Sequence, residues 1–197
     1  MKPADRYPIT RDQLPRDVVR VLSRGGWANA DVLLVAGPDA PVVVKDYAPR
    51  SWPVRTTIGR WLNGREMRVY RRLEGIPGVP RLLGRVDRDA FAVEYRPGLL
   101  LGRSLRGQLP DEFMAELESS VRAMHARGVI HLDLRHRSNV LAGSDGHPVI
   151  IDFASALVVG RTRGLGRWLI GWLGALDLRA LDKWRTRIEG PRDARTS

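Results

Sequence analysis

The sequence predicts an α+β fold, with a part rich in short strands followed by a more helical part. Three short apolar runs, bounded by turn-forming residues, come early in the chain at residues 18–22, 32–35 and 41–45. The clearest helical pattern comes later, at residues 111–127, between an aspartate near its start and a glycine behind its end. Strands first and helices later are typical of the α+β class.

Length and composition indicate an ordinary globular chain. Of its 197 residues, 43% are hydrophobic and 28% are charged, and we expect a single domain with lobes at residues 1–95 and 96–197. There is no cysteine, which excludes disulfides and thiolate metal sites. Without a signal-peptide pattern or an apolar run of about 18 residues, we expect a cytoplasmic location. The net charge of +11 favours anionic partners.

The loop at residues 23–31 is a candidate phosphate-binding loop. Its adjacent glycines, Gly25 and Gly26, allow backbone amides to approach a phosphate closely. The spaced pattern G-x-G-x-x-G is absent, so a plain hairpin turn is the alternative.

Lys45, at the end of the third run, is one of few lysines among 33 basic residues. Its compact ammonium group suits a phosphate where a planar guanidinium does not fit. Residues 61–74 have helical periodicity, and Glu66 lies on the apolar stripe of that helix. Because a buried carboxylate needs a partner, we predict an ion pair between Lys45 and Glu66, with Glu74 as the substitute for Glu66.

Two carboxylates and a carboxamide lie in predicted turns beside apolar strands. Asp133 and Asn139 belong to the segment 131–141, and Asp152 lies near the end of a strand predicted at 148–153. Oxygen ligands of this kind suit Mg²⁺. The four histidines show no zinc-binding spacing. These residues therefore indicate a site for a metal-bound phosphate.

The segments His131–Asn139 and Asp152–Ala154 resemble the catalytic and metal-binding loops of the protein-kinase-like phosphotransferases, H-R-D-L-x-x-x-N and D-F-G. The resemblance implies a two-lobed fold with a small β-rich N-lobe and an abbreviated helical C-lobe. It also implies ATP and Mg²⁺, and transfer of the γ-phosphoryl group to a hydroxyl of a protein Ser/Thr or of a sugar or glycolipid.

The same resemblance implies individual roles. Asp133 is the catalytic base, Asn139 and Asp152 hold Mg²⁺, Lys45 binds the α- and β-phosphates, and Glu66 orients Lys45. Further nucleotide contacts are implied for Gly25 and Gly26 in the phosphate loop, and for Glu94 and Tyr95 at the hinge between the lobes.

The chain departs from the family pattern at three positions. Leu132 replaces the arginine of H-R-D, Ala154 replaces the glycine of D-F-G, and one extra residue makes Ser138 a rival for the position of Asn139. No A-P-E motif follows Asp152. The chain is thus most similar to the small atypical members, the RIO, Bud32 and lipopolysaccharide-kinase groups.

Two other functions compete with a kinase. One is a pseudokinase, or nucleotide-binding scaffold, whose altered loop no longer transfers phosphate. The other is a basic nucleic-acid-binding protein, which charge alone suggests. Because no nucleic-acid-binding motif is present, we do not expect a nucleic-acid partner.

The tail at residues 164–184 interleaves tryptophan and leucine with arginine. We predict a helix that closes the second lobe, with Trp168, Leu169, Trp172, Leu173 and Leu176 in its core. The alternative is a basic amphipathic helix on an anionic membrane, which places the protein peripherally on the inner membrane face. In that case Arg161, Arg163, Arg167 and Arg179 supply the positive charge.

Overall fold

The computed structural model of the chain describes residues 6–160 and 165–188. These residues divide into two compact units. The first unit contains residues 6–74 and 80–95, and the second contains residues 75–79 and those described from Arg96 onward. Both units combine helices and strands, so the chain is mixed α and β and agrees with the predicted α+β class. Its assignment to one domain stays a prediction.

The first unit is built on one antiparallel sheet. Its elements are α1 (Leu14–Asp17), β1 (Val18–Ser23), β2 (Asp31–Val35), β3 (Val42–Asp46), α2 (Trp52–Val54), a π-helical turn (Arg55–Gly59), α3 (Arg60–Leu73), β4 (Leu82–Arg85) and β5 (Ala90–Glu94). The five strands are arranged in the order β1-β2-β3-β5-β4. The early strands therefore match the three predicted runs to within a residue or two, as expected for boundaries.

The sheet places β3 at its centre. Val44 on β3 and Ala92 on β5 are fully buried and face each other in register. Val35 at the end of β2 is also fully buried, in one cluster with them. β1 is an edge strand with mostly exposed side chains, since only β2 pairs with it. Lys45 thus lies on the central strand of the sheet.

Helix α3 covers part of this sheet through an apolar face. Met67, Tyr70 and Leu73 are buried, and the Tyr70 ring lies 6.3 Å from the ring of Phe91 on β5. The helix begins behind Gly59, where a Cβ atom would lie 2.8 Å from the Tyr47 ring. The helix predicted at residues 61–74 is confirmed, with both ends one residue earlier.

The second unit combines small sheets with two long helices. Its elements are β6 (Gly98–Leu100), α4 (Phe113–Ala126), β7 (Val129–Ile130), β8 (Val140–Gly143), β9 (Pro148–Ile150), β10 (Leu157–Val158) and α5 (Leu165–Ile188), with short 3-10 turns at Arg103–Leu105, Arg137–Asn139 and Phe153–Ser155. The strands pair as β6-β8-β9 and as β10-β7. Helices α4 and α5 pack together, and each contributes fully buried side chains, among them Val121 and Trp184.

Some boundaries in the second unit differ from the prediction. The strand expected at residues 148–153 ends at Ile150, because Asp152 adopts a left-handed backbone conformation that a strand cannot contain. The helix expected at 111–127 begins at Phe113, behind a turn. Strands β6, β8 and β10 were not predicted, since two to four residues carry too little periodicity.

The prediction that Trp168, Trp172 and Leu176 lie in the core of the second lobe is wrong. Trp168 and Trp172 are 64% and 65% exposed, and Leu176 is 43% exposed. The buried part of α5 comes later, with Leu181 and Trp184. An α-helix that packs along only part of its length leaves the remaining turns in solvent. Residues 161–164, with Arg161 and Arg163, lie outside the described residues, as do the side chains of Arg167 and Leu169.

Within residues 6–160 and 165–188, no helix has both the length and the apolar character needed to cross a membrane.

Candidate functional site

Lys45 and Glu66 form a buried ion pair in the first unit. Lys45 lies near the end of β3, Glu66 lies on the inner face of α3, and their Nζ and Oε1 atoms are 2.6 Å apart. The two residues are only 8% and 3% exposed. An uncompensated charge at such depth is costly, and the contact between the two opposite charges lowers that cost. The ion pair predicted from the helical stripe is therefore present, and Glu74 lies behind the end of α3.

Asp46, the residue after Lys45, is also held by an ion pair. Asp46 is buried and accepts two hydrogen bonds from Arg11, at 2.6 and 3.0 Å, while Arg11 Nε donates to Asp87 at 2.6 Å. Burial alone lowers the pKa of Arg11 and raises that of Asp87. The hydrogen bonds between them outweigh burial, so the pKa of Arg11 is raised and that of Asp87 is lowered. Arg11 thus ties the end of β3 to the β4–β5 turn.

The candidate phosphate loop is held by Asp31. The Asp31 carboxylate is buried and accepts hydrogen bonds from the Gly25 amide at 2.9 Å and from Arg24 at 3.0 Å. A side chain at position 25 would collide with the carbonyl oxygen of Asn29. Gly25 is therefore needed for the close backbone path, and its amide donates to Asp31.

Arg50 braces the same loop from a second direction. Its guanidinium donates to the carbonyl oxygens of Gly25 and Gly26, each at 3.0 Å, and also pairs with Asp31. The carbonyl oxygens of Gly25 and Gly26 therefore face the guanidinium group of Arg50. A Cβ atom at Gly26 would meet nothing within 4 Å, so open space surrounds that position.

Glu94 and Tyr95 lie at the end of β5. The Glu94 carboxylate accepts a hydrogen bond from the Arg81 amide at 3.0 Å, and the Glu94 amide donates to the Arg81 carbonyl at 2.9 Å. Glu94 therefore fastens the chain entering β4 to the end of β5. Tyr95, which follows, is partly buried.

Asp133 and Asn139 are joined directly in the second unit. Asn139 is buried, and its Nδ2 group donates to both the backbone oxygen and Oδ2 of Asp133, at 2.9 Å each. Ser138 donates to Oδ1 of Asn139 at 2.9 Å. Asn139, and not Ser138, is thus the residue that contacts Asp133. The extra residue in the loop is accommodated by a 3-10 turn at Arg137–Asn139.

The turn before Asp133 is held by a residue that the sequence analysis missed. Asp177 on α5 is buried, and it accepts hydrogen bonds from the backbone amides of His131 at 2.8 Å and Leu132 at 2.9 Å. His125 on α4 donates to the same carboxylate at 2.9 Å. Leu132 has a φ of 67°, a strained conformation for a non-glycine residue. The three hydrogen bonds therefore fix a turn that would otherwise relax.

His131 links this turn to the segment before Asp152. Its Nε2 group donates to the carbonyl oxygen of Ile151 at 3.1 Å, and its ring lies 5.0 Å from the ring of Phe153. Burial lowers the pKa of His131 and outweighs the hydrogen bond to Ile151 and the nearby carboxylates, which act in the opposite direction. The imidazole is therefore neutral at pH 7 and serves as a structural donor.

Asp152 is the second strained residue near Asp133. Its φ and ψ are 64° and 75°, and it and Leu132 are the only non-glycine residues with positive φ in the part of the chain that the structure describes. The preceding residue, Ile151, donates from its amide to the Asn139 carbonyl at 2.9 Å. Backbone strain of about 1–3 kcal/mol persists only where the surroundings enforce it. Strain at both acidic turns is typical of a functional site.

Comparison with known proteins shows a partial similarity to a protein kinase. No family model matches the chain. Over 97 residues it is 34% identical to the serine/threonine-protein kinase ppk21 of Schizosaccharomyces pombe, an alignment that covers 45% of this chain. The chain is similar to a protein kinase. The alignment spans only 17% of the length of that kinase, so the similarity supports a kinase-like relationship at a coarse level.

The kinase-like residues are brought together in two groups. Lys45 and Glu66 touch within the first unit. Asp133 and Asn139 touch within the second, and Asp152 is tied to them through its neighbour Ile151. Gly25 and Glu94 are instead bonded to residues outside the prediction, as described above. Within the described residues, no group of three or more histidine, aspartate or glutamate side chains is arranged to hold a metal ion.

A pocket of about 480 Å³ lies elsewhere in the second unit. Its wall includes Arg96, Glu116 and His147, with an exposed hydrogen bond of 2.8 Å between the latter two. This bond raises the pKa of His147. None of the predicted site residues lines the pocket.

Proposed function

We propose that the chain is an ATP- and Mg²⁺-dependent kinase with a two-lobed kinase-like fold. The first unit is its small β-rich lobe, and the second unit is its abbreviated helical lobe. The enzyme transfers the γ-phosphoryl group of ATP to a hydroxyl group of its acceptor. The similarity to a serine/threonine kinase supports the reaction class.

The pair formed by Asp133 and Asn139 carries this proposal. The Asn139 amide donates to Oδ2 and to the backbone oxygen of Asp133, so the carboxylate is held in one orientation while the residue stays partly exposed. Oδ1 of Asp133 is then the atom that accepts the hydrogen of the acceptor hydroxyl. A general base must be held within hydrogen-bond reach of the proton it accepts. The bonds from the Asn139 amide support this role, because one holds the Asp133 carboxylate and the other holds its backbone.

The same hydrogen bonds orient Asn139. Because Nδ2 faces Asp133, Oδ1 points away from it and presents an amide oxygen, which Ser138 also contacts. Asp152 supplies a carboxylate from the strained turn. One amide oxygen and one carboxylate fit Mg²⁺, which takes few protein ligands and completes its shell with phosphate and water. Bound there, Mg²⁺ neutralises charge on the phosphate groups of ATP.

Lys45 is the proposed partner of the α- and β-phosphates. The Glu66 carboxylate, 2.6 Å away, fixes the direction of its ammonium group before any ligand binds. Pre-orientation lowers the entropy lost on binding. Lys45 therefore binds and positions the nucleotide, and Glu66 acts through Lys45.

The acceptor is proposed to be a serine or threonine hydroxyl of a protein, since the relative is named as a kinase of that specificity. A sugar or glycolipid hydroxyl is the second candidate. Both acceptors present an alcohol to Asp133, so the chemistry required of the chain is the same.

A phosphoryl-transfer assay tests the proposal. The full chain is incubated with γ-labelled ATP and Mg²⁺, with a generic protein acceptor in one arm and a lipopolysaccharide extract in another. Asp133→Asn is expected to lower transfer by at least about a hundredfold, whereas Asp182→Asn, an exposed control on α5, leaves it unchanged. Nucleotide binding with no transfer in any arm, autophosphorylation included, would favour a pseudokinase.

A further inference from the structure

The first turns of α5 present an apolar stripe to solvent. Trp168, Trp172 and Leu176 recur every four residues, so they lie on one side of the helix. All three are exposed, the two tryptophans by almost two thirds. Tryptophan is highly buried on average in folded proteins, and a row of exposed apolar side chains marks an interaction surface. We call these three residues the α5 stripe.

The two tryptophan rings of the α5 stripe are stacked parallel to each other. Their centroids are 6.2 Å apart, and their planes differ by only 5°. Each indole combines an apolar body with one N–H donor, a combination that favours the boundary between lipid and water. The stacked pair therefore places two exposed indole rings next to each other on the same side of α5.

Basic residues follow the α5 stripe along the same helix. Arg179 is exposed and lies three residues beyond Leu176, followed by the partly exposed Lys183. The pKa of Lys183 is lowered, chiefly by Arg187 and further by Arg135 on another segment of the unit. Cations are therefore concentrated here, although the exposed Asp182 lies 3.9 Å from Arg185 nearby.

Charge decides which partner this surface fits. The chain carries a net charge of +11, and a second copy would bring the same cations against themselves. An anionic surface complements them instead. A helix with tryptophan and leucine beside arginine and lysine is the pattern of a helix that lies in a membrane interface.

The first unit also carries exposed tryptophans, but they do not form a row on one helix. Trp27, Trp52 and Trp61 are all at least 60% exposed, and the guanidinium of Arg65 lies 5.5 Å from the Trp61 ring. Only Trp184 among the six tryptophans of the chain is buried. Exposed tryptophan is thus found in both units, and within α5 it recurs at helical spacing.

We propose that α5 docks on a bilayer containing anionic phospholipid. Trp168, Trp172 and Leu176 enter the boundary between headgroups and acyl chains, while Arg179 and Lys183 contact lipid phosphates. From Trp168 to Lys183 the helix extends about 22 Å at 1.5 Å per residue, so the contact lies along the membrane plane. The docking does not depend on phosphoryl transfer, and its test is independent of that activity.

Vesicle binding by the full chain tests this proposal. Sedimentation is measured with vesicles of phosphatidylcholine alone and with vesicles of equal parts phosphatidylcholine and phosphatidylglycerol. We expect binding to the anionic vesicles that weakens at high salt. The double variant Trp168→Ala/Trp172→Ala is expected to bind at least about tenfold more weakly. The variant Arg179→Gln/Lys183→Gln loses about fivefold per charge removed.

Trp61→Ala serves as the matched control, since it removes an equally exposed tryptophan from the first unit. It is expected to bind anionic vesicles as the unchanged chain does. Because the substituted side chains are exposed, melting temperatures should stay the same in all variants, and that measurement excludes loss of folding. Equal binding by the unchanged chain and the Trp168→Ala/Trp172→Ala variant overturns the proposal. It is also overturned if that variant instead dissociates a dimer, or loses affinity for random RNA while vesicle binding is unaffected.

Discussion

Asp177 accepts a hydrogen bond of 2.9 Å from the backbone amide of Leu132, a strained residue that lies 45 positions earlier in the chain. The second oxygen of the same carboxylate accepts from His131 and His125. A buried carboxylate with three donors is stabilised by them, and it in turn holds the conformation of the turn. Asp177 is therefore a positioning residue for Asp133.

Replacing Asp177 with asparagine should disturb both stability and turnover. One carboxylate oxygen becomes an N–H donor that faces another donor, so we expect a loss of about 2–3 kcal/mol in the free energy of unfolding. We also expect kcat to fall at least about tenfold while KM for ATP changes little, because Asp133 is misplaced. Chemical denaturation and steady-state kinetics measure the two effects. A stable variant with unaltered kcat would show that Leu132 is held by other contacts.

Replacing Lys45 with methionine should remove nucleotide-dependent stabilisation. At a ligand concentration a hundredfold above Kd, ATP with Mg²⁺ is expected to stabilise the unchanged chain by about 2.7 kcal/mol. Lys45→Met is expected to lose most of this gain because it lacks the ammonium group that pairs with Glu66. Differential scanning fluorimetry measures the shift, and Lys183→Met is the matched control. An equal shift in the Lys45 variant would remove Lys45 from the nucleotide site.

Asp133 and Asp152 should differ in their effect on binding. Asp152→Asn is expected to weaken Mg²⁺-dependent ATP binding at least about tenfold, because it removes the carboxylate assigned to the metal. Asp133→Asn should leave that affinity within about twofold, since its carboxylate is assigned to the acceptor. Isothermal titration calorimetry with and without Mg²⁺ separates the two. Equal losses in both variants would contradict this division of roles.

The ion pairs of Arg11 with Asp46 and Asp87 predict how the stability of the chain responds to pH. The folded-state pKa of Asp87 lies below its ordinary value of 3.8, so the unfolded chain binds more protons in acid. The contribution of Asp87 to the free energy of unfolding is therefore fully present above about pH 5, and it is lost as the pH decreases through 4 and below. Arg11→Met should flatten this acid dependence. It should also destabilise the chain at pH 7 by about 2–4 kcal/mol, because Asp46 is left buried without its cation.

Denaturation curves between about pH 3 and pH 7 test the role of Arg11. Arg81→Met is the control, since the Arg81 side chain is largely exposed and lies 3.7 Å from Glu94. We expect its acid dependence to match that of the unchanged chain. The same slope in the Arg11 variant would place the acid-sensitive carboxylates elsewhere.

Substitutions near the two ends of α5 should differ in their effect on the free energy of unfolding. Trp184 is fully buried, and its Nε1 group donates to the Leu134 carbonyl at 2.8 Å. Trp184→Ala is therefore expected to cost about 3–5 kcal/mol of unfolding free energy. Trp172→Ala, at an exposed position, should change it by less than about 0.5 kcal/mol. Similar losses at both positions would mean that the first turns of α5 are packed in solution.

The sequence predicted those features whose signals are local. Strands β2 and β3, helix α3 and the Lys45–Glu66 pair follow from short patterns, because a carboxylate on an apolar stripe requires a partner. The same reasoning applied to Asp177, which lies between Leu173 and Leu181 at helical spacing, would have marked it as buried. Two of its three partners are the backbone amides of His131 and Leu132, however, and amides leave no trace in a sequence. The exposure of Trp168 and Trp172 depends on where α5 stops packing, which periodicity alone does not specify.

The position of Asp177 has a consequence for how the chain matures. Asp177 is made 46 residues after His131, an interval of roughly 2–9 seconds at the usual rates of synthesis. Throughout that interval the segment around Asp133 exists without the carboxylate that fixes Leu132. A nascent chain therefore contains every residue proposed to bind the phosphates, the metal ion or the acceptor before it contains Asp177, which holds the turn before Asp133. Competence for the proposed reaction is acquired late, when α5 folds back onto α4.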